Sequence, residues 1–361
     1  MKSVKHWINP AILSMQAYHV PSSAGLLKLD AMENPYVWPE ELRQKWLQVL
    51  KEVPINRYPD ADAAALKERL RTVLAIPDYV SIMLGNGSDE LIQIIALALA
   101  RSDRTYLAPE PGFVMYRLIS QTVNTGFCGV QLNPDDFSME RTAMLSAIEE
   151  RQPALIFIAY PNNPTGNLFD REIVLDVIKH APGLVVIDEA YHAFAGASFM
   201  EYLDDFDNLL VMRTLSKSGL AGLRLGYLLG KSAWLDELEK IRLPYNINSL
   251  SQKSAEFILS HYEVLADQAA SICRNRKELY RQLSETDGIK AWPSAANFIL
   301  FRTLGLDANR IFTGLKARGV LIKNLHGSHS LLQNCLRVTV STEKENTVFI
   351  DILRQIIQSY H

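Results

Sequence analysis

The chain has 361 residues, 48% of them hydrophobic and 21% charged. This suits a globular protein with either two lobes or one large α/β domain and an appendage. A net charge of −3 with no basic block argues against a nucleic acid as the main partner.

The first residues lead into no export-signal core, because Asn9, Pro10, Ser14 and Gln16 interrupt the apolar stretch. The most apolar helix candidate, 91–100, is too short to span a bilayer. Cys128, Cys273 and Cys335 are odd in number and widely spaced, which fits reduced thiols in a cytoplasmic protein.

After a proline-punctuated arm, helical periodicity covers 40–51, and the turn Arg57-Tyr58-Pro59-Asp60 leads into an alanine-rich helix over 62–74. A strand at 79–84 runs into Gly85-Asn86-Gly87-Ser88-Asp89-Glu90, a glycine-rich turn that opens a helix. Strands are then expected at 105–108, 125–132, 155–160, 184–188, 209–213 and 226–229, with helices near 113–122 and 170–180. Continuous apolar strands alternating with helices indicate a mostly parallel sheet covered on both faces. Beyond Pro244 the pattern changes to a long helical stretch over 250–284, mixed strands at 298–302, 320–323 and 336–340, and a terminal helix. The expected division is an N-terminal arm with part of a small domain (1–50), a large cofactor-binding domain (51–260) and a small α+β C-terminal domain (261–361).

The chemistry-bearing residues fall at strand ends, where open α/β sheets collect ligands. Lys217 sits in Thr214-Leu215-Ser216-Lys217-Ser218-Gly219, with Arg224 seven residues on. A lysine in such a cleft, beside other cations, can lose its proton and attack a carbonyl. Asp188 closes the strand 184–187 and can be a helix cap, a salt-bridge partner or the partner of a protonated ring nitrogen. Tyr191, three residues later, is a core tyrosine or a hydroxyl donor. Gly87, Ser88 and Asp89 open a helix, where free N–H groups suit a phosphate; the alternative is a plain N-cap, without a capping box because Leu91 stands where Glu or Gln would complete it. Ser216 and Arg224 can complete a phosphate cup. Asn163, in Asn-Pro-Thr-Gly, is a turn former or a side-chain donor.

In this chain order the motifs resemble the fold-type I, pyridoxal-phosphate-dependent aminotransferases of class I and II, over nearly the whole length. Within that superfamily the chain is similar to the histidinol-phosphate aminotransferases. The motifs that carry this are Leu29-Asp30-Ala31-Met32-Glu33-Asn34-Pro35-Tyr36, Arg57-Tyr58-Pro59-Asp60, the turn 85–90, Pro244-Tyr245-Asn246-Ile247-Asn248 and Leu336-Arg337-Val338-Thr339-Val340. The resemblance implies transamination of L-histidinol phosphate with 2-oxoglutarate, giving imidazole acetol phosphate and L-glutamate in histidine biosynthesis. An aromatic aminotransferase, or a threonine-phosphate decarboxylase on the same scaffold, remains the alternative.

It further implies that Lys217 anchors pyridoxal 5′-phosphate, held also by Gly87, Ser88, Asp89, Phe113, Asn163, Asp188, Tyr191, Thr214, Ser216 and Arg224. Tyr58 would reach the cofactor phosphate of a partner subunit, making a homodimer. Tyr18, Asn34, Lys323 and Arg337 would contact substrate, with Arg337 taking the phosphate of one substrate and the carboxylate of the other. Phe113 stands where the family usually stacks a tyrosine, Asp30 and Met32 replace asparagines, and Lys323 replaces a second anion-binding arginine. His326 and His329 lie in a Gly-Ser loop without metal-ligand spacing and read as residues near the cleft.

Overall fold

The computed structural model describes residues 3–17 and 22–360. Its first strand, Leu27–Lys28 (β1), belongs to the smaller lobe. The larger lobe is built on Ser81–Asn86 (β2), Thr105–Glu110 (β3), Gly126–Gln131 (β4), Leu155–Ala159 (β5), Leu184–Asp188 (β6), Leu209–Thr214 (β7) and Leu225–Gly230 (β8). These form one sheet in the order β2-β8-β7-β6-β5-β3-β4. Only β8 runs against its neighbours; the other pairings are parallel. The mostly parallel sheet expected from the sequence is therefore present.

Every residue of β5, β6 and β7 is buried, because helices cover both faces. Alternation sorts the side chains: Ile156 and Ile158 enter one apolar core, while Leu155 and Phe157 enter the other. The strand order reverses between β3 and β5, and the carboxyl ends of β2, β3, β5, β6 and β7 share one edge. That edge is where such a sheet binds ligands.

The smaller lobe continues with Ile289–Ala291 (β9), Phe298–Thr303 (β10), Val320–Leu321 (β11), Lys323–Asn324 (β12) and Cys335–Thr339 (β13). Its antiparallel sheet has the order β12-β13-β10-β9, and β1 pairs with β11 in parallel. Leu29 and Met32 pack into the same core as Phe298, Phe301, Phe349 and Leu353.

Two expectations change. The stretch 250–284 is two helices, Ser249–Leu259 and Tyr262–Ser284, broken at Ser260 and His261. Ala255 and Ile258 of the first pack in the larger core, while Ile272 and Leu279 of the second pack in the smaller one. The break lets one helical run serve two cores. The strand 320–323 is likewise divided at Ile322, with β11 serving β1 and β12 serving β13.

Candidate active site

The helix Ser88–Leu99 starts after Gly87, which has φ +83° and, lacking a side chain, cannot cap it. The expected helix start shifts by one residue. With Gly87 as the cap, Glu90 occupies the third helical position, and its carboxylate accepts the Asn86 N–H. That bond reaches the residue before the cap, so it fixes the entry of the chain without completing a capping box; the helix's own first N–H groups stay without a side-chain acceptor. A Cβ built on Gly87 would lie 2.6 Å from Arg224 Nη2, and one on Gly226 would lie 2.6 Å from Ser88 N. Glycine at both places lets the helix terminus and the guanidinium meet in a cradle that favours an anion.

The far side of the cradle is the turn after β7. Thr214 donates its hydroxyl to the Leu225 carbonyl at 3.0 Å and accepts the Ser216 N–H at 3.1 Å. The turn is an irregular one over Ser216–Leu220, with Gly219 at φ +108°, and Arg224 itself is left-handed at φ +53°. Arg224 contacts Asp89 at 3.5 Å in a half-exposed pair. Such pairs contribute little, so a dianion can replace Asp89 as the partner.

Asp188 ends β6 fully buried in the same cavity. Its Oδ2 accepts the Tyr116 hydroxyl at 2.7 Å and its Oδ1 accepts the Ala190 N–H at 3.0 Å. Burial raises its pKa to about 6, although both hydrogen bonds oppose the rise. A buried carboxylate of this kind is suited to a cationic partner. Asn163 donates to the Tyr191 hydroxyl at 3.2 Å, and burial holds the Tyr191 phenol in its protonated form.

Lys217 Nζ donates to the Ala31 carbonyl at 3.1 Å. Burial, aided by Arg337, lowers its pKa to about 8. A larger share of the amine is then neutral at physiological pH, which is what a nucleophile or proton acceptor requires. Phe113, Met32 and Ala159 close the cavity with apolar surface.

A second cavity adjoins the first and shares Met32, Phe113 and Asn163 with it. Lys323 and Arg337 line it from directly paired positions of β12 and β13. Arg337 donates to the Asn163 side-chain oxygen and, at 3.1 Å, to the Asp30 carbonyl, with its guanidinium over the Phe298 ring. His329 lines this second cavity, whereas His326 accepts the Asn334 N–H at 2.9 Å.

The expected residues Ser88, Asp89, Phe113, Asn163, Asp188, Tyr191, Thr214, Ser216, Lys217 and Arg224 thus line one cavity, and Lys323 and Arg337 the next. Gly87 shapes the first without lining it. Asn34 lines neither; its amide donates to Gln268 at 2.9 Å and its oxygen accepts the Tyr36 N–H. Tyr58 is 81% exposed and stacks on Tyr245 at 4.5 Å, away from the cavities of its own chain. Tyr18 falls outside the described residues.

Two features escaped the sequence reading. Tyr116 lies one helical turn beyond Phe113, and that spacing was its only signal. Glu189, next to Asp188, is fully buried and accepts Arg213 Nε at 2.9 Å, Phe199 N–H at 2.6 Å and the Ser198 hydroxyl. It ties the segment bearing Tyr191 to β7. Glu189→Ala leaves Arg213 buried without its counter-charge and is expected to cost about 3–5 kcal/mol, read as a lower melting temperature.

Pyridoxal phosphate, the group implied by the motifs, has a dianionic phosphate, a basic ring nitrogen and an aldehyde. The cradle at Gly87 and Arg224, the buried Asp188 carboxylate and the depressed Lys217 amine are chemically fitted to these in turn. A family model described as aminotransferase class I and II matches residues 24–353. The chain is 56% identical over 351 residues to histidinol-phosphate aminotransferase 2 of Nitrosococcus oceani, covering 97% of each. It is 48% identical over 353 residues to the histidinol-phosphate aminotransferase of Chromobacterium violaceum, covering 98% of each. Among solved structures it resembles the Sinorhizobium meliloti histidinol-phosphate aminotransferase in complex with pyridoxal-5′-phosphate, with TM-score 0.87 and 23% identity over 98% of each chain. The L-threonine-O-3-phosphate decarboxylase of Porphyromonas gingivalis, at TM-score 0.76 and 22% identity, shares the fold over 92% of this chain and all of that one.

Proposed function

The chain belongs to the class I and II aminotransferases, and on that premise we propose that it transaminates L-histidinol phosphate with 2-oxoglutarate. The observation that carries this reading is the junction of two cavities, one holding Lys217, Asp188 and Arg224, the other holding Lys323 and Arg337. Relatives at 48–56% identity that bear the histidinol-phosphate aminotransferase name support the substrate.

Pyridoxal 5′-phosphate, when bound, supplies an electron-withdrawing ring that spreads the negative charge developing at the donor's Cα. Ser88, Ser216 and Arg224, with the helix N-terminus at Gly87, would hold its phosphate. Asp188 would supply the negative charge that keeps a ring nitrogen protonated, Tyr191 and Asn163 would supply hydrogen bonds to a ring oxygen, and Phe113 would exclude water. Lys217 takes the proton from the donor's Cα, and in the second half of the cycle it returns a proton to the carbon that was the keto carbon of 2-oxoglutarate. Arg337 and Lys323 bind the phosphate of the donor and, in turn, a carboxylate of 2-oxoglutarate. One planar guanidinium suits both anions, because each presents two oxygens at similar reach.

Arg337→Leu is expected to raise KM for both substrates by about 10²-fold, as two charge-assisted hydrogen bonds are lost; initial-rate kinetics with each substrate varied checks this. Homodimer formation belongs to the same proposal. Tyr58, Ile55, Leu243 and Tyr245 are exposed apolar side chains that a partner would cover, with Tyr58 contributing to ligand contacts in the assembled enzyme. A cytoplasmic location is supported by the three unpaired cysteines. Among the described residues no helix is long and apolar enough to cross a membrane.

The deciding experiment is glutamate formation from histidinol phosphate and 2-oxoglutarate. Fast turnover of phenylalanine or tyrosine with none of histidinol phosphate would replace the reading with an aromatic aminotransferase. Carbon dioxide release from threonine phosphate without glutamate would replace it with a lyase.

A further inference from the structure

The reaction leaves Glu110 and His329, two polar residues of the second cavity, unused. Glu110, at the end of β3, receives Arg117 through two parallel hydrogen bonds, from Nε at 3.0 Å and Nη2 at 2.5 Å. The Arg117 guanidinium also lies over the Phe127 ring, 4.5 Å from its centroid. The carboxylate is therefore fixed in place while keeping lone pairs that can accept another hydrogen bond.

His329 faces this pair from the loop between β12 and β13. A turn places it there: Gly327 adopts φ +79°, and Ser328 donates N–H to the Leu325 carbonyl at 3.1 Å. His329 Nδ1 accepts the Leu331 N–H at 3.2 Å. An accepting Nδ1 leaves the ring proton on Nε2. Partial burial outweighs the opposing charge of Glu110 and, with Arg117 nearby, holds the imidazole below its ordinary pKa, which favours the neutral ring. Its outer edge is then a single N–H donor, and Glu110 beside it is an acceptor. Phe113, Leu325 and Leu332 line the same cavity with apolar surface.

Resting on the function proposed above, we propose that Glu110 and His329 form the subsite that reads the donor's heterocycle. A neutral imidazole has one N–H and one bare nitrogen; the N–H donates to Glu110 and the bare nitrogen accepts from His329 Nε2. A phenyl ring of similar size satisfies neither group, and leaving polar groups desolvated without partners opposes its binding. The subsite thus selects a nitrogen heterocycle with one donor and one acceptor.

The test compares kcat/KM for histidinol phosphate with that for phenylalaninol phosphate, which keeps the amine, the phosphate and the ring shape. His329→Ser retains a hydroxyl to accept the Leu331 N–H but is too short to reach a ligand ring, so the loop keeps its cap. The parent enzyme should favour histidinol phosphate, and His329→Ser should reduce that preference about tenfold. His329→Gln, whose amide reaches as far as imidazole Nε2, should restore most of it. A preference unchanged in His329→Ser overturns this inference while leaving the proposed function standing. No turnover of histidinol phosphate by the parent overturns the proposed function, and the subsite with it.

Discussion

Lys217→Ala is expected to lower kcat by at least about 10⁴-fold and to leave no cofactor covalently attached after borohydride reduction. Both effects follow from one side chain. The amine lies in the cavity beside Asp188 and Arg224, and burial together with Arg337 brings its pKa to about 8. Among the described residues no other lysine lines that cavity, and Lys323 is in the adjoining one. Mass spectrometry of the reduced protein should find the cofactor on Lys217 in the parent and nowhere in the variant. A variant with parental rate and parental visible spectrum would show that the anchor lies elsewhere.

Asp188→Asn is expected to lower kcat by about 10²–10³-fold with little change in the fold. The amide oxygen can still accept the Ala190 N–H while its NH2 donates to the Tyr116 hydroxyl oxygen, but it carries no charge to stabilise a protonated ring nitrogen. The same residue gives the cofactor-free protein a pH signature. The folded-state pKa of about 6 lies above the ordinary aspartate value of 3.8, so the native state binds the proton more tightly than the unfolded chain. Stability then falls as pH rises from about 4 to 6, by roughly 3 kcal/mol at 1.36 kcal/mol per unit. Above pH 6 this contribution is constant, and Asp188→Asn should remove it. Thermal unfolding of cofactor-free parent and variant across pH 4 to 7 measures the difference. A cationic ring nitrogen offsets the cost of the charged carboxylate, so the slope should flatten in the cofactor-loaded protein.

Much of this site was legible because its residues follow short, continuously apolar strands. β5, β6 and β7 are buried on both faces, and their sequences show it; Asn163, Asp188 and Lys217 could then be placed just beyond strand ends. The helix Glu40–Lys51 was likewise plain from its amphipathic period. Other elements left weaker traces. Arg141–Arg151 buries only Met144 and Ile148, so its apolar stripe is thin, and Ala308–Ala317 is interrupted by Gly314. β1 has two residues, too few for an alternating pattern. The break at His261 was invisible because both helices have apolar faces, and only the existence of two cores separates them. Tyr116 was missed for a related reason: its hydroxyl matters through Asp188, a partner 72 residues away.

The pairing of β1 with β11 bears on how the enzyme is born. The Asp30 carbonyl accepts Arg337, the Ala31 carbonyl accepts Lys217, and Thr339 N–H donates to the Leu29 carbonyl. Leu29 and Asp30 leave the ribosome well before their partners Thr339 and Arg337 exist. The larger lobe can form its sheet during synthesis, since β2 to β8 are complete by Gly230. The strand and carbonyls that hold Lys217 and Arg337 must wait for nearly the whole chain. A nascent protein therefore gains its scaffold first and its competence for catalysis near the end of translation.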